Sequence, residues 1–177
     1  MSFEKVSPGK NVPHEINVII EIPAQEGPIK YEVDKDTDMI KVDRIMATSM
    51  RYPCNYGYMP KTLAEDGDPT DVLVVTPFPL LPGSYIAVRP VGMLEMTDES
   101  GVDFKIVAVP VDKISKAYSD IQQVENLGKV LLSSIVHFFE TYKLLEPGKW
   151  VKIGNWLNAD AAKQEITKSL ARYQETL

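Results

Sequence analysis

The 177-residue chain has a single cysteine and only two histidines. Cys54 alone cannot close an intrachain disulfide, so a disulfide-stapled scaffold is excluded. Long apolar runs are also missing. The longest uncharged stretch, residues 72–88, contains Pro77, Pro79 and Pro82 and cannot form a continuous membrane helix. Residues 1–11, MSFEKVSPGKN, lack the apolar centre of a secretory leader. Positive charge is in deficit, with 19 Lys+Arg against 25 Asp+Glu and a formal net charge of −6. That balance argues against nucleic acid and an anionic membrane surface as partners. A soluble, cytoplasmic protein is expected.

What is present is an ordinary globular composition, 44% apolar and 25% charged, which excludes a disordered chain. The length fits one domain over residues 1–177, with no internal repeat or linker. It is long enough to bury a core without disulfides or a structural metal.

Thirteen prolines, all within the first 147 residues, cut that region into short segments, as a barrel or sandwich requires. Residues 17–22 are β-branched and read as a strand, 23–28 as a turn, and 29–33 as a second strand completing a hairpin. Further strands are expected over 39–47, 71–76, 85–96 and 104–110. Helices come late. From Val124, Leu127, Leu131, Ile135, Phe138 and Tyr142 recur at helical spacing, and Pro147-Gly148 stops the pattern. A second helix follows Asn158, with Ala162, Ile166, Leu170 and Tyr173 as its stripe. The expected class is α+β, mainly β, with helices packed outside a β core.

The most informative segment is Glu65-Asp66-Gly67-Asp68-Pro69-Thr70-Asp71, directly before the apolar run Val72-Leu73-Val74-Val75. Three aspartates within six residues repel one another, more so when partly desolvated. Gly67 and Pro69 form a turn able to aim them at one point, where a divalent cation would relieve the repulsion. Hard oxygen ligands without thiol or imidazole favour Mg²⁺, Mn²⁺ or Ca²⁺ over zinc. An EF-hand loop fails, because counting from Asp66 places Asp71 where glycine is needed and Pro77 where glutamate is needed. Taken alone, the segment also reads as a solvated acidic turn.

A second acidic group runs from Asp98-Glu99-Ser100-Gly101 to Asp103 and Lys105, with hairpin composition. Glu21 and Glu32, with Lys30, read as cross-strand charges of the first hairpin. Arg44 lies in an apolar strand segment, Tyr52, Tyr56 and Tyr58 crowd one stretch, and Tyr142-Lys143 ends the long helix. Each has a bland reading as core aromatic or helix-terminal cation. Together with a carboxylate cluster they suggest a polyanion held by metals on one side and by Arg, Lys and Tyr on the other, and phosphate is the obvious one. Cys54 reads as a buried small hydrophobe and His137 as a packing or subunit-contact residue.

Taken as a set, these pieces resemble the first family of soluble inorganic pyrophosphatases in its short prokaryotic form. The matching segments are Glu-Asp-Gly-Asp-Pro-Thr-Asp at 65–71, Tyr-Pro-Cys-Asn-Tyr-Gly-Tyr at 52–58, Met-Thr-Asp-Glu at 96–99, Asp103 with Lys105, Tyr142-Lys143 and Lys30-Tyr31-Glu32. They fall in the family's order over nearly the whole chain. The resemblance implies a twisted five-stranded OB-like barrel with flanking helices, and hydrolysis of pyrophosphate to two orthophosphates with Mg²⁺. It implies metal ligation by Asp66, Asp71 and Asp103, with Asp98, together with Asp103, serving a further ion carried with substrate. Glu21 and Glu32 would act on the metals through water. Lys30, Arg44, Tyr142 and Lys143 would bind phosphate oxygens, with Tyr56 and Lys105 close by, and Asp68 would take the proton of the attacking water. It further implies a homohexamer of two trimers, for which the helix carrying Ile135, Val136, Phe138 and Phe139 offers an interface, unless that face is core. Two other classes compete. An oligonucleotide-binding barrel is disfavoured by the net charge. A cation-binding protein without turnover leaves Lys30, Arg44 and Lys143 without purpose.

Overall fold

The β-branched runs become strands because both of their faces find apolar partners. The computed structural model describes residues 3–177; Met1 and Ser2, the start of the segment read above for a leader, lie outside the described residues. Strand β1 (Ile16–Ile22) is followed by β2 (Ile29–Asp34), β3 (Met39–Ile45), β4 (Asn55–Tyr58), β5 (Asp71–Val74), β6 (Tyr85–Asp98), β7 (Gly101–Val102) and β8 (Lys105–Pro110). Helix α1 (Lys129–Thr141), β9 (Val151–Asn158) and α2 (Ala159–Gln174) complete the order.

Strand β1 pairs antiparallel with β4 and with β6, β4 with β5, and β6 with β8, while β5 runs parallel to β8. The pairings close a circuit β1-β4-β5-β8-β6-β1, the five-stranded barrel that was expected. Its third and fifth strands are the parallel pair, an OB-like Greek-key connectivity. Strand β6 is long enough to serve four partners, because bulges between Pro90 and Gly92 and between Leu94 and Met96 bend it. Strands β7 and β9 add to its far end.

Alternate barrel residues feed two apolar clusters. Ile22, Leu73, Val107 and Val109 pack with Ile135, Phe138 and Phe139 of α1. Ile16, Val18, Val72, Val74, Ile106 and Ala108 pack with Ala162 and Ile166 of α2. Strands covered on both faces read as continuous apolar runs, which is why 72–75 and 106–109 carry no polar alternation.

Two expectations are corrected. Strands β1 and β2 do not form a hairpin; β2 pairs only with β3, with Lys30 opposite Arg44 and Glu32 opposite Lys41. Glu21 and Glu32 are therefore not cross-strand partners. The helical run from Val124 breaks at Gly128, whose φ of +85° separates a 3₁₀ turn (Val124–Leu127) from α1. Ile135, Phe138 and Phe139 are 0–1% exposed, so of the two readings of that face of α1 they belong to the core, while His137 is exposed. The α2 stripe runs through Ala162 and Ile166 as expected, but Glu165 and Ser169 share its buried face. Asn158 caps α2 as read, its side chain accepting from the Ala161 N–H at 2.9 Å.

Candidate active site

The barrel gathers its polar side chains at one mouth. Strand β1 brings Glu21, and the β2–β3 hairpin brings Lys30, Glu32 and Arg44. Tyr56 lies on β4, Asp71 opens β5, Asp98 ends β6 and Lys105 opens β8. Asp66 and Asp68 come from the loop before β5, Asp103 from the loop before β8, and Tyr142 and Lys143 from the end of α1. These thirteen residues, scattered over 123 positions of sequence, all line one cleft of about 630 Å³. Every residue singled out for the site is thus brought together.

Lysines and acids are interleaved here. The Lys105 ammonium, 3% exposed, donates to Asp71 Oδ2 at 2.5 Å, Asp103 Oδ1 at 2.6 Å and the Tyr56 hydroxyl at 3.1 Å. Burial alone would favour the neutral amine, but the two carboxylates outweigh it and hold Lys105 firmly protonated. Lys143 donates to Asp98 Oδ2 at 2.7 Å, and Lys30 to Glu32 Oε1 at 2.5 Å. Arg44 Nη1 lies 3.2 Å from Glu146 Oε2.

The carboxylates remain under-compensated. Burial pushes Glu21 up to about 8, with Asp71 and Glu32 adding to the rise and the Val33 N–H opposing it. Burial lifts Asp103 to about 6 against Lys105, and Asp71 adds to the rise. Asp66 is raised as well, by burial first and then by Asp71 and Asp68, against the Asp68 N–H. Ten carboxylates and seven cationic side chains line the cleft, so its lining stays net negative even with every lysine charged. As the side chains stand, no three carboxylate, imidazole or thiol groups among the described residues cluster closely enough to ligate one ion. Lys105 fills the space between two of the acids. The donor chemistry nonetheless fits a hard divalent cation: oxygen ligands only, partly desolvated, with surplus negative charge.

An aromatic wall backs the acids. Tyr52 lies 4.5 Å from Phe138 and 5.3 Å from Tyr56 between ring centres, and Tyr142 stacks on Phe138 at 5.0 Å. Core packing from α1 therefore fixes where the Tyr142 hydroxyl can point. Asp68 differs from its neighbours. It is exposed and makes no ion pair among the described residues, and its backbone N–H donates to Asp66 Oδ1 at 3.1 Å.

Sequence reasoning missed Lys149 and the role of Glu99. Lys149 lines the cleft and reaches Glu99 Oε1 at 2.6 Å. Burial acts to raise Glu99, but the Lys149 hydrogen bond and two backbone donors pull it down to about 2. Lys149 follows Pro147-Gly148, a pair read only as a helix stop, and no local pattern marked it. Glu146, the partner of Arg44, was equally silent. Cys54 is buried as expected, and its thiol is pushed up to about 12, which removes it as a nucleophile.

The inorganic pyrophosphatase family model matches residues 18–174. An inorganic pyrophosphatase of Pseudomonas aeruginosa is 59% identical over 175 residues, covering 99% of this chain and 100% of that protein. The solved inorganic pyrophosphatase of Coxiella burnetii is 53% identical, with a TM-score of 0.92 over 95% of this chain and 99% of that one. That of Thermus thermophilus is 40% identical, with a TM-score of 0.93 over 98% and 99%. The chain belongs to the inorganic pyrophosphatase family. Among the described residues no helix is long and apolar enough to cross a membrane.

Proposed function

We propose that the cleft hydrolyses inorganic pyrophosphate to two orthophosphates with Mg²⁺. The observation that carries this reading is the charge of the cleft: acids outnumber cations around a space of about 630 Å³. Pyrophosphate brings yet more negative charge, so it enters such a space only together with divalent cations. Asp66, Asp71 and Asp103 would hold Mg²⁺, Asp98 would serve a further ion, and Glu21 and Glu32 would act through water. Bound there, Mg²⁺ supplies charge neutralisation and a more acidic water.

The chain's own residues supply position and a proton acceptor. Lys30, Arg44, Tyr142 and Lys143 hold the anionic oxygens, with Tyr56 and Lys105 beside them. Asp68 takes the proton of the attacking water as its oxygen bonds to phosphorus, and the bridging P–O bond breaks to release the second phosphate. Its exposure and freedom from ion pairing suit a group that must accept and release a proton each turnover.

The family likeness extends the proposal to one pyrophosphatase domain over residues 1–177, a cytoplasmic location and a homohexamer. The exposed Val130, Leu144 and Leu145 would give an assembly apolar surface to bury. Phosphate release from pyrophosphate tests the central reading. Release is expected with Mg²⁺ and is lost when a chelator is in excess. Well-folded protein that releases no phosphate with Mg²⁺, Mn²⁺ or Zn²⁺ present contradicts it.

A further inference from the structure

Helix α2 stands outside the cleft, yet its buried face carries Glu165 and Ser169 at 6% and 0% exposure. Both serve Leu63, three residues before Asp66. The Leu63 N–H donates to the Ser169 carbonyl at 3.0 Å. The Leu63 carbonyl accepts from Arg172 Nη1 at 3.2 Å, and the same guanidinium is held by Glu165 Oε1 at 3.1 Å from Nη1 and 2.5 Å from Nη2. Beyond Leu63, the Ala64 N–H donates to the Asp68 carbonyl at 2.7 Å. The Leu63 C=O and the Ala64 N–H belong to one peptide plane, which is rigid. One edge of that plane is gripped by Arg172, and the other edge grips Asp68.

We infer that Arg172, oriented by Glu165, is a positioning residue for the acidic loop, and that it sets the placement of Asp68 through the Leu63–Ala64 peptide. The neck of the loop is closed separately. Thr62 Oγ1 accepts from the Thr70 N–H at 3.0 Å and donates to the Met59 carbonyl at 2.6 Å. The two ends of the loop are thus fixed without α2, and what Arg172 adds is the orientation of the segment between them. The groups proposed to bind phosphate, Lys30, Arg44, Tyr142 and Lys143, sit on β2, on β3 and after α1, and among the described residues Arg172 bonds to none of them. Loss of Arg172 therefore reaches the proton acceptor more than the phosphate clamp.

The inference rests on the hydrolase reading for its kinetic arm but not for its structural arm. Arg172→Met is expected to lower kcat about 10- to 100-fold, the scale of a small misplacement of a reacting group, with KM for pyrophosphate within about twofold. Arg172→Lys, which keeps charge beside Glu165, is expected to recover part of kcat. Hydrogen exchange of the peptide covering residues 61–71 should accelerate in Arg172→Met, while peptides of β5 and β8 keep their protection. If Arg172→Met does not fold, Arg172→Lys and Glu165→Gln carry the same comparison, with smaller losses in the same direction. Unchanged kcat and unchanged loop exchange overturn the inference, as does a kcat loss matched by exchange spread evenly over the barrel. Wild-type protein silent on pyrophosphate defeats the hydrolase reading instead, and loop exchange then decides the anchor by itself.

Discussion

At Lys105 three acceptors meet one ammonium: two carboxylates and a phenol. Burial of a lone lysine costs several kcal/mol, and only close opposite charge offsets it. The same ammonium offsets part of the repulsion between Asp71 and Asp103, which still helps to raise Asp103. Among the described residues Asp68 has no such partner, which suits it to the proposed role of proton acceptor. Asp68→Asn should keep the fold and lower kcat by about 10²–10⁴-fold, the range for a general base. Lys30→Ala, assayed alongside, should act mainly on KM. Near-normal turnover in Asp68→Asn would remove it as the proton acceptor, and unchanged constants in Lys30→Ala would remove Lys30 from the clamp.

Elements place these residues through close backbone approaches. A Cβ on Gly57 would stand 1.9 Å from the Ile19 carbonyl oxygen. Only glycine lets β4 lie against β1 there, and Tyr56, its neighbour, is delivered to the cleft by that pairing. Gly57→Ala should therefore cost about 3 kcal/mol as overpacking against backbone, lowering Tm by roughly 6–12 °C for a chain of this size. Gly27→Ala meets nothing within 4 Å and should leave Tm nearly unchanged. Equal melting of the two variants would show that the β1–β4 approach does not limit stability.

The element scale also shows what a sequence conceals. Strands 17–22, 71–76 and 104–110 were legible because their residues are β-branched and unbroken. Strand β4 was not, since Asn55-Tyr56-Gly57-Tyr58 carries two strand-poor residues and is held by partners rather than by propensity. Strand β9 was not, because its alternation covers only Val151 to Gly154 before Asn155 breaks it; it forms as an added strand on β6. The pairing of β2 with β3 rather than β1 is a tertiary choice that hairpin spacing cannot express.

On the scale of the whole molecule, the thirteen cleft residues come from five barrel strands, the separate β2–β3 hairpin, two loops and the end of α1. The acidic loop at 65–71 was legible from its own pattern, whereas Glu21, Lys30, Glu32 and Arg44 had bland local readings and were singled out through the family resemblance. Their partners, Glu146 for Arg44 and Lys149 for Glu99, were not, since ion pairing depends on distance in space. The proposed activity requires a single gathering of charge that would take divalent ions and phosphate at once. A crystal grown with Mn²⁺ and phosphate tests this most directly through anomalous scattering. The expected result is manganese among Asp66, Asp71 and Asp103, with phosphate against Lys30, Arg44, Tyr142 and Lys143. Manganese bound elsewhere, or phosphate absent from that cleft at saturating concentration, would contradict it.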